Sequence, residues 1–391
     1  MARKILFLTS TRADFGKLKS LMHALDDDPA FEVHVFVTGM HVLPKYGNTG
    51  EEVEKCGFKN IYRFINQKSN DDMGSILANT VQGLSNYIEL LKPDMLVIHG
   101  DRAEALAGAI VGAFNNLLVS HIEGGEVSGT IDESIRHSVS KLAHIHFVAN
   151  DRARQRLLQM GEHPENIFII GSPDLDLMTS AALPALHAVK DHYEIGFDTY
   201  GIFAYHPVTT SLHDLISNLQ EISQALTASN KNFVAIYPNN DPGSELIIEE
   251  LEALRANPRF RVFPSVRFEA FLVLLKHAQF MIGNSSAGVR EAPFYGIPSI
   301  NIGSRQNGRF ACETIVNCRE SAAEILAAID GIDRVPRTAT EHFGNGTSRD
   351  QFLAIMKDEG IWRVKLQKYF VDRGEVAMVE SAAIPAVPCA G

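Results

Sequence analysis

The feature that most limits the folds open to this chain is a regular alternation of short apolar runs with longer amphipathic ones. Runs of strand length occur at "KILFLTS", "EVHVFVT", "DMLVIHG", "LLVSHIE", "HIHFVAN" and "NIFIIGS", and again at "GIFAYHP", "FVAIYPN", "FRVFPS", "FMIGNS" and "PSINIG". Segments of helical character separate most of them, among them 14–26, 72–91, 102–115 and 211–229. Strands that alternate with helices build a parallel sheet covered on both faces. The chain has 391 residues, beyond the roughly 250–300 at which one core stops growing. Two successive strand sets therefore predict an α/β chain of two Rossmann-like domains.

The irregular stretch 180–198, "SAALPALHAVKDHYEIGF", is the expected boundary, giving domains over 1–185 and 186–358. A last helix is expected over 359–373, around "GIWRVKLQKYF", packing back on the first domain. The tail 374–391 is small-residued, proline-punctuated and aperiodic, which predicts disorder.

The net charge of −11 argues against a nucleic-acid or anionic-membrane surface. An anionic ligand would need local arginines and helix ends to outweigh that field. The four cysteines are scattered without a C-x-x-C pair, which suits reduced thiols better than a disulfide framework. The apolar run after "MARK" is too short for a signal segment, and no stretch approaches the ~18 apolar residues of a membrane span. A soluble, cytoplasmic protein is the expectation.

Two segments echo each other: "IHGDRAEALAGAIVGAFNNLLVSHIEGG" and "MIGNSSAGVREAPFYGIPSINIGSRQ". Each runs strand, glycine with polar residues, small-residue helix, strand, glycine loop. Ligands of open α/β sheets lie outside the carboxyl ends of strands, so both segments aim polar residues at one crevice.

Four stretches could carry chemistry there. In "LTSTRADFGKL", Arg12 stands in the turn before a helix starting near Asp14, an anion site or simply a capped helix with a solvated arginine. In "GNSSAGVREA", Asn284, Ser285 and Ser286 open a helix like a phosphate cradle, and Glu291 could accept from a ribose diol; a plain serine cap is the alternative. "NIGSRQNGRF" adds Arg305 and Arg309, suited to a diphosphate or to surface ion pairs. His206 in "AYHPVTT" is held extended by the following proline, and could donate to a phosphate or bond a neighbouring carbonyl.

The densest group joins Asp101 of "IHGDR" to His121, Glu123, Asp132, Arg136 and His137 of "SHIEGGEVSGTIDESIRH". Asp101 and Glu123 end successive strands, so their side chains can converge, and Gly124, Gly125 and Gly129 let the backbone approach a ligand. Asp132 or Ser134 would cap the following helix. Clustered carboxylates in a partly dry pocket suit proton transfer near neutrality. Glu126 and Glu133 read as a solvated face. His144 and His146 alternate on a strand and read as core histidines, since no ligand spacing supports a metal.

Together "TSTRADFGKL", "VTGMH", "GDR", "HIEGGEVSGTIDESIRH", "AYHPVTT" and "GNSSAGVREAPFYG" resemble the hydrolysing UDP-N-acetylglucosamine 2-epimerases, from about residue 3 to about 371. The resemblance implies two Rossmann-like domains facing a cleft, of the glycosyltransferase-B type, with UDP held mainly by the second. It implies Asp101, Glu123 and Asp132 as catalytic acids, with His206. Arg12, Lys17, Arg102, Arg136, Asn284, Ser285, Ser286, Arg305 and Arg309 would contact substrate or UDP, and Glu291 the ribose. It implies no metal or cofactor, UDP-GlcNAc and UDP as ligands, ManNAc for sialic-acid synthesis as product, and a homodimer or homotetramer. "HIEGGE" differs from the "VEAGLR" of relatives that keep UDP attached. A sister group acting on a 2,4-diacetamido sugar nucleotide often has His where this chain has Glu123, so Glu123 leans towards N-acetylglucosamine. A UDP-sugar glycosyltransferase and a non-enzymatic nucleotide-sugar sensor are the competing readings.

Overall fold

The apolar runs are explained by what each strand must cover. In β1 (Arg3–Thr9), Ile5 and Phe7 enter one buried cluster while Leu6 and Leu8 enter another on the opposite face. Side chains alternate across a strand, so a strand between two layers of helices must be apolar on both sides. The computed structural model describes residues 2–44, 47, 49–68, 71–128, 130–208 and 213–372.

β1 lies in a seven-stranded sheet with β2 (Phe31–Val37), β3 (Asn60–Arg63), β4 (Met95–His99), β5 (Leu118–Ile122), β6 (Ile145–Val148) and β7 (Ile167–Ile169), ordered β3-β2-β1-β4-β5-β6-β7. A second, six-stranded sheet contains β8 (Gly201–Ala204), β9 (Phe233–Ile236), β10 (Phe260–Phe263), β11 (Phe280–Gly283), β12 (Ser299–Ile302) and β13 (Ile315–Cys318), ordered β10-β9-β8-β11-β12-β13. Neighbouring strands pair parallel in both. Strand order reverses between β1 and β4 in the first sheet and between β8 and β11 in the second. Each reversal opens a crevice at the carboxyl ends.

Of the four edge strands, β3 and β13 fall outside the sequence expectation. They are partly exposed along their length and lack the continuous apolar run that marks a covered strand. The first helix begins at Arg12 rather than near Asp14. The helix expected over 211–229 runs Leu215–Ala228; residues 211 and 212 lie outside the described residues, as do Gly129 and the tail 374–391.

The C-terminal expectation needs correction. The last α-helix is Ser348–Met356, and the stretch from 359 holds only a 3₁₀ turn at Ile361–Arg363 before an irregular run to 372. In "IWRVKLQ" apolar Trp362, Val364 and Leu366 alternate with polar residues, the period of an extended chain. This segment lies on the first sheet's side. Phe352, Met356 and Ile361 join its core, and Arg3 pairs with Glu359 at 2.7 Å and sits 4.1 Å from the Trp362 ring.

Phe352 is fully buried, its ring 4.8 Å from that of Phe147. Phe352→Ala is expected to cost about 3–5 kcal/mol by transfer and cavity terms. Denaturant unfolding followed by a probe in the first domain checks this; an unchanged midpoint would mean the segment adds nothing to that core.

Candidate active site

The two sheet reversals face each other, and the loops following β1, β4, β5, β8 and β11 meet in one cleft. Its outer cavity, about 230 Å³, is lined by Arg12, Lys17, His206, Ser285, Ser286, Glu291 and Arg305 among others. Its inner cavity, about 120 Å³, is lined by Asp101, Arg102, Glu123, Asp132, Arg305 and Arg309 among others. Thr11, Ala13, Lys17, Asn239, Ser286 and Arg305 border both, so the two are continuous.

The turn after β1 is set by a capping box. Thr11 caps the helix and Asp14 bonds back to the cap backbone, also accepting from Ser10 N at 2.9 Å and Thr9 Oγ1 at 2.5 Å. Arg12 is thereby aimed outward. It pairs through two nitrogens with Glu52, at 2.6 and 2.9 Å, and reaches Ser265 of the second domain at 2.5 Å.

In the second domain, Gly283 has φ of 130°, and a Cβ there would stand 2.0 Å from the Ala204 carbonyl oxygen. Only glycine lets β11 end this close to β8. Asn284 then accepts from the His206 backbone N–H at 2.7 Å and donates to its carbonyl at 2.8 Å. Asn284 is fully buried and spent on these bonds, so it positions His206 instead of lining the cavity. Ser285 and Ser286 open a 3₁₀ turn, Ser286–Gly288, and not a regular α-helix; Glu291 starts the short helix Glu291–Phe294.

His206 Nδ1 accepts from the Asn239 N–H at 3.2 Å. The ring proton is then on Nε2. Burial, with Arg305 and Arg102 nearby, holds His206 well below the usual histidine range. It is a neutral donor.

The acid loop differs most from expectation. Thr130 is the helix cap, so neither Asp132 nor Ser134 is; Asp132 sits one residue into the helix and pairs with Arg305 at 3.4 Å. Asp101 pairs with Arg136, a side chain 1% exposed that supports this loop from below and does not border either cavity. Glu126 is no solvated residue. It is 3% exposed and meets Arg290 at 2.5 Å and Arg309 at 3.0 Å, both from the second domain. Glu133 is partly exposed and accepts from Ser128 N at 2.8 Å, stapling the loop.

Glu123 follows β5 with φ of 68°, a left-handed conformation that a residue with a Cβ adopts only under constraint. The constraint is electrostatic. Lys17 Nζ is 2.8 Å from Oε1, His99 Nε2 is 3.4 Å from Oε2, and Arg290 and Ser172 also contact Oε1. Burial opposes the charge, yet Arg290, Lys17 and His99 outweigh it and hold the carboxyl well below the usual range.

His121 lies outside the cavities, bonding the Gly100 carbonyl at 2.8 Å and Ser140 at 3.0 Å, with burial lowering it to about 3. His137 faces Glu133 one helical turn away. His144 bonds the Val119 N–H and Leu366 carbonyl, and His146 meets Glu162 at 3.1 Å. Among the described residues no cluster of histidine, cysteine or acids could hold a metal ion, and no helix is long and apolar enough to cross a membrane. Arg102 bonds Asn240 at 2.7 Å and stands 3.5 Å from Asp241, a further bridge between domains.

Residues 23–357 match the family described as UDP-N-acetylglucosamine 2-epimerase. The chain is 48% identical over 374 residues to a UDP-N-acetylglucosamine 2-epimerase of Neisseria meningitidis, covering 95% of this chain and 99% of the relative. The chain belongs to the UDP-N-acetylglucosamine 2-epimerase family. A Legionella pneumophila protein named UDP-N,N'-diacetylbacillosamine 2-epimerase (hydrolyzing) is 32% identical, covering 91% of this chain and 96% of its own length. In fold, the chain resembles a crystal structure of UDP-GlcNAc 2-epimerase from Neisseria meningitidis bound to UDP-GlcNAc, with a TM-score of 0.77 at 18% identity, covering 90% of this chain and 99% of that one. The two-domain, glycosyltransferase-B-like architecture is thus that of the family.

Sequence reasoning overlooked Arg290, Ser172, Asp174 and His99. Arg290 carried a usable signal: it stands among Ala287, Gly288, Val289, Ala292 and Pro293, a stretch with no face for water. An arginine there must find a buried acid.

In Arg290→Gln, Glu123 and Glu126 would lose a shared cation in a dry site, an expected cost of about 3–5 kcal/mol near neutral pH. Glu123 is depressed when folded, so its contribution is full above about 4.5, its unperturbed value, and is lost as pH falls through the lowered value. The gap between wild type and variant should therefore narrow on acidification below that point. Unfolding free energies measured from pH 7 down to about pH 2.5 test it; a gap that stays constant below about 4.5 would contradict this account of Glu123.

Proposed function

We propose that this chain is a hydrolysing epimerase that converts UDP-GlcNAc and water to ManNAc and UDP, for sialic-acid synthesis. The observation that carries the reading is the pairing of two accessible carboxylates with one locked carboxylate around the inner cavity. Asp101 comes from the loop after β4 and Asp132 from the first turn of the helix Ile131–Leu142, and their side chains retain 26% and 28% exposure. Glu123, which borders the same cavity, is 6% exposed and fixed by cations. The names of relatives agree: the 48% identical protein acts on UDP-N-acetylglucosamine by name, and the 32% identical one is called hydrolysing. A 30% identical protein of Escherichia coli is named polysialic acid biosynthesis protein P7.

The stereochemistry requires such a set. In UDP-α-GlcNAc the anomeric oxygen and the C2 hydrogen lie on opposite ring faces. Anti elimination of UDP removes that hydrogen from the face away from the nucleotide and leaves 2-acetamidoglucal. The manno product then needs a proton at C2 from the other face, with water adding at C1 on that same face. One group cannot easily serve both faces of an immobilised ring. We assign Asp101 and Asp132 to the two proton transfers.

The C2 hydrogen is barely acidic, so the bond to UDP breaks first and positive charge grows at C1. A permanently ionised Glu123 stabilises that charge, as carboxylates do in glycoside hydrolysis. The departing diphosphate would meet Arg12, Arg305, the Ser285–Ser286 turn and the Nε2–H of His206, with Glu291 at the ribose. A hydrolysing epimerase of a 2,4-diacetamido UDP-sugar is the second reading, favoured by the 32% identical relative.

Incubation with UDP-GlcNAc in D₂O, followed by NMR, should give free UDP and ManNAc deuterated at C2. UDP-ManNAc as product would assign the non-hydrolysing reaction. Turnover of the 2,4-diacetamido substrate alone would assign the second reading.

Asp101→Asn and Asp132→Asn should each lower kcat by about 10²–10⁴, the usual worth of a general acid or base, with UDP affinity changed only a few-fold. Parallel measurement of turnover and UDP binding decides. Equal losses of both would make these residues binding groups.

A further inference from the structure

Behind the cleft lies a buried cluster with more acids than bases. Lys17, Arg290 and Arg309 face Glu123, Glu126, Asp174 and Glu291. His99 adds at most one cation, and its contact is with Glu123. Asp174 is 1% exposed, yet neither carboxyl oxygen has a donor in good hydrogen-bond geometry, Ser172 being the one hydroxyl close enough to favour its charge, and Glu291 Oε2 has none either. The nearby Ser172 hydroxyl donates to Glu123 at 3.3 Å, and Lys17 Nζ stands 4.0 Å from Asp174. Two buried carboxyls in contact and short of donors are satisfied when they share one proton.

We propose that Asp174 is a positioning residue that keeps a shared proton on the Asp174–Glu291 pair, so that Glu291 meets the nucleotide as a neutral acid. The proposal rests on the reading that the outer cavity takes UDP. Glu291 keeps the proton, donates a hydrogen bond from its carboxyl O–H to ionised Asp174, and leaves its other oxygen to accept from a ribose hydroxyl. The pair then carries one negative charge rather than two beside a diphosphate.

Burial pushes Glu291 up to about 7; Asp174 adds to this, against Lys17 and Arg290. The remaining groups around it are Tyr295 of its own short helix, which burial and these two acids push upward, and Arg12, His206 and Arg305 across the cavity. Glu123 reaches the pair through Asp174 and through the cations it shares with them, Lys17 and Arg290.

UDP binding to the full chain, measured by calorimetry at pH 6.5, 7.5 and 8.5, tests the proposal with Glu291→Gln and Asp174→Asn. UDP's own ionisation is common to all three proteins and cancels in their affinity ratios. Wild type should lose affinity relative to Glu291→Gln by up to about tenfold per pH unit once the shared proton is lost. Asp174→Asn should release Glu291 to ionise throughout, giving weaker binding at pH 6.5 without that slope. Glu291→Gln weakening UDP equally at pH 6.5 and 8.5 would make the ionised carboxylate the binder and overturn the proposal, whether or not Asp174→Asn folds. UDP failing to bind wild type at any pH would overturn the nucleotide-site reading itself.

Discussion

A guanidinium enters a dry interior only where carboxylates meet it, and those that meet Arg290 belong to the other domain. Glu123 and Glu126 leave the first sheet on one loop, three residues apart, and both close on this one side chain from the loop after β11. Phe343, with its ring 4.7 Å from the Arg290 guanidinium carbon, adds an aromatic face. Such a contact fixes register as well as distance. The loop must turn at Glu123 in a left-handed conformation for both acids to face the same cation. The loop proposed as catalytic is therefore shaped by the second domain, and neither half of the cleft is complete alone.

The same contact reconciles the charge of the molecule with its proposed ligand. A chain of net charge −11 should repel a nucleotide diphosphate. Within the cleft the balance is local. Arg12, Arg102, Arg305 and Arg309 line its walls, each held by a partner across the domain boundary or in the adjoining loop. Glu123 and Glu126 are neutralised by Arg290, Lys17 and Arg309, so the cluster's negative charge is largely spent before a ligand arrives.

The fold was legible because covered strands and amphipathic helices each leave a period in the sequence. All eleven apolar runs quoted from the sequence coincide with strands, while β3 and β13, at sheet edges, leave none. The C-terminal segment misleads because Trp362, Val364 and Leu366 supply the apolar content of a helix but recur with the period of two of an extended chain. At the site, residues that end strands were legible: Asp101, Glu123, His206 and Ser285 all lie where polar residues follow an apolar run. Residues that act through others were not. Arg136 and Asn284 look like ligand-binding groups in sequence but are consumed within the protein, and Glu126 looks solvated because its partners are 164 and 183 residues away. Buried ion pairs between distant segments leave no local pattern.

The proposed proton traffic at a sugar carbon asks opposite things of neighbouring carboxylates. A group that exchanges protons must be reachable and able to exist in both states. A group that stabilises growing positive charge must never accept the proton. In water the two would be interchangeable, because solvent levels their ionisation. In this cleft they are separated by what surrounds them: Asp101 and Asp132 keep about a quarter of their surface open and one arginine each, while Glu123 is enclosed by Lys17, His99, Arg290 and Ser172. Moving a single cation would blur that division. On the proposed mechanism, loss of Arg290 would let Glu123 take the proton meant for the sugar, so the clamp that holds the domains together would also decide which acids take part in the chemistry.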